Sequence, residues 1–173
     1  MFILAQVFNA IGTFLNIVGI NIKKKQLTLI FFAIGNTCVA ASLGLLNAYS
    51  GMMIQIIFVI QSIINYFWEK KNPKYPLWLI LLYVIVPSII TIIGFKSCWD
   101  ILPLLAAIMF PLALVSKDFI LRSLNLLSVV FWIPYDLNFG QYVGVISCTI
   151  FIILNFLAIY RFDIKKNTKT RFI

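Results

Sequence analysis

The chain has no histidine, only five acidic residues, and three cysteines at no metal-ligand spacing. Each absence removes a class of chemistry. Without histidine or a pair of carboxylates inside one apolar stretch, general acid–base catalysis lacks its usual groups. The missing acid relay also argues against a proton-driven pump. No glycine-rich phosphate loop occurs. Cys38, Cys98 and Cys148 are odd in number and two of them fall in apolar stretches, so no disulfide framework is indicated. An enzyme, a metal site and a bound cofactor are therefore not expected.

What is present is apolar. Hydrophobic residues make up 62% of the 173 positions and charged residues 11%, with a mean hydropathy of +1.03. So few polar groups could not cover the surface of a soluble fold, which places the chain in a lipid bilayer. The net charge of +9 does not point to nucleic acid, because the basic residues stand in short groups between apolar spans rather than along one face. The start, MFILAQVF, lacks the positive leader of a cleaved signal and is expected to remain as a helix.

Seven spans can be marked, each long enough or nearly so to cross a hydrocarbon core of about 30 Å. They run from Phe2 to Ile20, Leu27 to Leu46, Met52 to Trp68, Leu77 to Phe95, Ile101 to Ser116, and then as a hairpin from Arg122 to Arg161 that turns near Tyr135 to Gly140. The expected fold is an all-α integral membrane protein. If the helices alternate in direction, thirteen of the fourteen basic residues fall on one side and only Lys96 on the other. The positive-inside rule then puts the N-terminus outside and the C-terminus in the cytoplasm.

Sliding spans five to seven over spans one to three pairs Ile3 and Leu4 with Ile101 and Leu102, and Lys24 with Arg122. Allowing a loop-length difference, Gln61, Tyr66, Glu69 and Lys71 pair with Asn155, Tyr160, Asp163 and Lys165. Two parallel three-helix repeats in a 3+1+3 arrangement follow: residues 1–71, a linker helix in 72–99, a second repeat in 100–166, and a cytoplasmic tail in 167–173.

Polar residues inside the spans are the candidate site. Gln61 and Asn155 each stand eight residues before an acid, roughly 12 Å along a helix axis. Their carboxamides suit a neutral polar solute without the cost of burying a charge. The plainer alternative is that they bond between helices. Trp132 offers a flat face to a ring or sugar, and Asn9 and Asn36 sit near mid-span as cavity residues. Asn16, Asn65 and Asn125 lie nearer the cytoplasmic ends, where water can reach them. Tyr135 is expected to anchor at the outer interface. Asp136 is expected as a solvated loop residue, with an outer-mouth or proton-accepting role as the alternative. The lysine groups face anionic headgroups.

The segments ILAQ at Ile3 to Gln6, KKQL at Lys24 to Leu27, ILPLL at Ile101 to Leu105, Trp132, and LNFLAIYRF at Leu154 to Phe162 resemble the YgjV family of bacterial inner-membrane proteins. That family is similar, more distantly, to the PQ-loop group containing the SWEET carriers. The resemblance implies a bacterial inner-membrane location and a small-solute pathway between two three-helix units. The proline-glutamine pair of the PQ-loop group is absent, since Pro103 and Pro111 are each followed by leucine and Ala5 and Thr13 hold the matching places. The expected function is a carrier for a small polar solute working by facilitated diffusion. The alternative is a structural or regulatory membrane subunit. Reporter domains fused to each terminus test the topology: the N-terminal fusion is expected to be active only outside, and a cytoplasmic N-terminus overturns the seven-span arrangement.

Overall fold

Apolar runs of about twenty residues, placed where no water competes, satisfy their backbone groups within the helix itself. The computed structural model describes residues 1–20, 22, 24–71, 76–114 and 118–159. Seven α-helices occur among them: α1 Phe2–Ile20, α2 Lys25–Leu45, α3 Tyr49–Lys71, α4 Leu77–Gly94, α5 Ile101–Leu114, α6 Asp118–Asn138 and α7 Tyr142–Ile159. The first four are each long and apolar enough to cross a membrane. The boundaries read from hydropathy fall short at α3, which continues to Lys71 because long basic side chains can lie along apolar surface while their ends reach water. The expected tail in 167–173 lies outside the described residues.

The helices pack as neighbours in sequence, α1 on α2 on α3 and α5 on α6 on α7, with α4 touching α3 and α5. Further contacts join α1 to α7 and α3 to α5. The α1–α2 seam is close because it is built on glycine. A Cβ at Gly12 would fall 2.6 Å from the Gly35 carbonyl oxygen, so only a bare Cα permits this approach. On α4, Leu79, Ile80, Tyr83, Pro87 and Thr91 are buried, while Leu81, Ile85, Ile89 and Ile92 are exposed. The three- and four-residue spacing of the buried set forms one stripe, and the opposite apolar face is left for lipid.

Two turns are alike. The α2–α3 turn holds Asn47 at φ 59° and the α6–α7 turn holds Gly140 at φ 70°. In the first, Asn47 N–H donates to Gly44 O and Ala48 N–H to Leu43 O. In the second, Gly140 N–H donates to Leu137 O and Gln141 N–H to Asp136 O. Both are Schellman closures, which satisfy the last carbonyls of a helix through a left-handed residue.

Between α4 and α5 a 3-10 turn, Cys98–Asp100, is held by its own polar residues. Asp100 accepts from the backbone N–H of Lys96 and of Ser97, both at 2.9 Å. Burial alone would raise the carboxyl's pKa. The hydrogen bonds from Ser50, Lys96 and Ser97, together with the Lys96 charge, outweigh it and lower the value from 3.8. A carboxylate depressed in the folded state stabilises the fold at every pH above its unfolded value, and that contribution is lost as the pH falls through the folded one. Asp100→Asn is expected to lower stability by about 1 kcal/mol at neutral pH. Thermal unfolding in detergent should show the gap to wild type closing only below about pH 4.

Candidate functional site

Inside the bundle, α1, α2, α3, α6 and α7 leave two adjoining hollows whose walls share Asn16, Gln55 and Phe151. Their volumes are about 190 and 180 Å³, far above the ~15 Å³ that one water needs. The walls follow from helical periodicity. Asn9, Thr13 and Asn16 repeat at spacings of four and three on α1, so they form one polar stripe on an otherwise apolar helix. Gln55, Phe58 and Ser62 do the same on α3, as do Gly144, Ser147, Cys148 and Phe151 on α7.

The stripes are cross-linked. Asn16 donates through Nδ2 to Asn36 Oδ1 at 3.0 Å, from α1 to α2. Thr13 donates to Asn9 Oδ1 at 3.1 Å, and the Ser147 hydroxyl of α7 lies 3.3 Å from Thr13 Oγ1. Among the wall residues Gln55 Oε1 and Asn16 Oδ1 are buried and make no hydrogen bond, as is also true of both amide atoms of Gln61 and of Gln141 Oε1 elsewhere. An unpaired amide oxygen removed from water costs ~1–3 kcal/mol, and Asn16 Oδ1 bears that cost against the bare Cα of Gly35 in the α1–α2 seam.

One end of the cavity is closed. Ser42 of α2 donates to Ala5 O of α1, and Gln141, at the start of α7, donates to Ser42 Oγ. The Gln6 carboxamide bridges the α6–α7 turn, donating to Gly140 O at 2.9 Å and accepting from Val143 N–H at 3.0 Å. Beside this clasp Tyr135 is fully buried in a cluster with Leu43 and Ala48. Its hydroxyl lies 2.8 Å from Ser50 Oγ and accepts from Gly51 N–H at 2.7 Å. The expected interfacial anchor is instead an internal cap on the first turn of α3, where N–H groups have no partner in their own helix. Gly51 is required there, because a Cβ would lie 2.6 Å from the Tyr135 ring.

Of the five candidate residues, Asn9 and Trp132 line the hollow nearer the clasp and Asn36 the other. Gln61 is elsewhere. It is 2% exposed and faces α4, in an apolar space lined by Leu82, Tyr83 and Val86. Six residues separate it from Gln55, which at 100° each turns it well away from the cavity stripe. The Asn155 and Asn125 side chains lie outside the described residues. Asp136 is not in a loop: it occupies the last turns of α6, 5% exposed, and lines the cavity. Asn16 is a cavity residue rather than a hydrated helix end. Asn65 is 3% exposed and accepts from the Tyr83 hydroxyl at 2.7 Å. Gln55 escaped the sequence reading, although its seven-residue spacing from Ser62 marked a shared face.

A model of the Imp-YgjV family, bacterial inner membrane proteins, matches residues 3–166. The chain belongs to this family. As an Imp-YgjV member it is a multi-pass helical protein of that membrane. Comparison with curated proteins and with solved structures finds no match. Among the described residues of this Imp-YgjV chain no group of histidine, cysteine and acidic side chains is placed to hold a metal ion. Tyr135→Phe, which leaves the Gly51 N–H buried and unpaired, is expected to cost about 1–3 kcal/mol in thermal unfolding. Tyr142→Phe, at an exposed ring, should change stability by less than about 0.5 kcal/mol.

Proposed function

We propose that this Imp-YgjV protein is a carrier for a small polar solute, which passes by facilitated diffusion through the cavity between α1–α3 and α6–α7. One observation carries the reading: the cavity walls hold amides and hydroxyls at the core of an apolar bundle, and one end is shut by bonds that can be exchanged with water. In a purely structural bundle such groups would be fully spent between helices. Here Gln55 Oε1 and Asn16 Oδ1 are not.

The proposed mechanism is alternating access between two parallel three-helix units, α1–α3 and α5–α7, linked by α4. The matched Schellman turns support it, and so does the spacing that follows them. Tyr49, Gly51, Phe58 and Ser62 of α3 stand as far beyond Asn47 as Tyr142, Gly144, Phe151 and Asn155 of α7 stand beyond Gly140. The contacts between halves also exchange under this correspondence, α1 with α7 and α5 with α3. In this register the counterpart of Asn155 is Ser62, not Gln61. With the N-terminus outside, as the basic residues indicate, the clasp closes the external end and the state is inward-facing.

The second reading, a structural or regulatory subunit, draws on the amides that do bridge helices, Asn16 to Asn36 and Asn65 to Tyr83. Uptake of a panel of labelled solutes into proteoliposomes separates the two. Under the carrier reading one solute class enters, Gln55→Leu reduces uptake by about tenfold or more with folding intact, and Gln61→Leu leaves uptake within about twofold. If no solute moves and both variants lose only stability, the packing reading replaces it.

A further inference from the structure

Asp136 is the acidic residue among those lining the cavity, and no lysine or arginine stands with it. The residues that line this hollow with it from the packed helices are neutral: Asn9 and Thr13 on α1, Val39 and Leu43 on α2, Gln55 on α3, Ser147 and Cys148 on α7. The carboxylate lies against the bare Cα of Gly144, where any Cβ would collide with Oδ2. No side chain among the described residues donates a hydrogen bond to it, although the residue is 5% exposed. A carboxyl so enclosed is stable only with a proton or a cation beside it.

The surroundings favour a cation. Trp132 stands one helical turn before Asp136 on the same face of α6 and lines the same hollow. An indole face near a carboxylate attracts an ammonium group through the ring quadrupole as well as through charge. Gln55 and Asn16 line the same hollow and its neighbour, and their carboxamides offer polar partners to the remainder of such a molecule. A sugar would use the amides equally well but would require the carboxyl to hold a proton instead.

We propose that the cavity binds a small organic cation, its ammonium group held between the Asp136 carboxylate and the Trp132 ring and its polar remainder directed toward Gln55 and Asn16. The proposal rests on the carrier reading in taking the cavity as the solute site.

The test uses the full chain in lipid nanodiscs, with binding measured by calorimetry for choline, ethanolamine and methylammonium. The neutral comparator is 3,3-dimethylbutan-1-ol, which has the shape of choline with carbon in place of nitrogen. Choline or another of the cations is expected to bind at least about tenfold more tightly than the neutral isostere, about 1.4 kcal/mol. Asp136→Asn should abolish that preference and Trp132→Leu weaken it, whereas Tyr142→Phe, at an exposed ring outside the cavity, should retain it. Wild-type protein that binds none of the three cations, or binds the neutral isostere as tightly, overturns the proposal without need of a variant. A preference that survives in folded Asp136→Asn overturns it too. Uptake in proteoliposomes keeps the two readings apart. Cations that bind but never cross sink the carrier reading alone, and uptake of a neutral solute with no cation preference sinks the cation site alone.

Discussion

A short series of polar contacts sets how α3, α6 and the turn before α5 lie together. The Gly51 N–H donates to the Tyr135 hydroxyl, which lies against Ser50 Oγ, and the Ser50 hydroxyl helps to lower the pKa of the Asp100 carboxyl nearby. The series begins on α3, passes through α6 and ends in the turn before α5. In a medium where a buried polar atom without a partner is costly, such a series fixes which ends lie side by side. The apolar faces alone would allow the helices to slide against one another.

The same constraint shapes the cavity. Lipid supplies no force that distinguishes one leucine-rich face from another, so close packing has to come from glycine seams and from polar stripes that find each other. α1 uses both, with Gly12 set against Gly35 and Asn16 bonded to Asn36. Where the stripes of α1, α3 and α7 face one another across a wider gap, packing does not close and a hollow remains. The polar groups there are divided between holding the walls and facing the space.

Much of this could be read from the chain. Seven helices follow from hydropathy because lipid makes the relation between apolar run and helix nearly obligatory. The Asn9–Thr13–Asn16 stripe follows from spacing alone. What was not legible was which side of a helix meets which neighbour. Gln61 matched Asn155 in sequence because the amide, tyrosine, acid and lysine recur in order. Under the proposed repeat, the turns at Asn47 and Gly140 set a register displaced by one residue, and on a helix one residue is a rotation of about 100°. Tyr135 and Asp136 were misplaced for a related reason. Their polarity resembles that of a loop, yet Pro134 lies inside α6 rather than ending it, since neighbouring groups can take up the carbonyl that proline frees.

The clasp at the closed end has one further property. Gln6, Ser42 and Gln141 are neutral, and their partners are backbone groups and one another. Ionic strength screens charges and acidity titrates them, but neither acts directly on a bond between an amide and a hydroxyl. The closure is therefore buffered against the salinity and acidity of the surface it meets. In the proposed orientation this end meets the outside of the cell, where both are changing quantities, and a seal of this chemistry keeps the same strength through them.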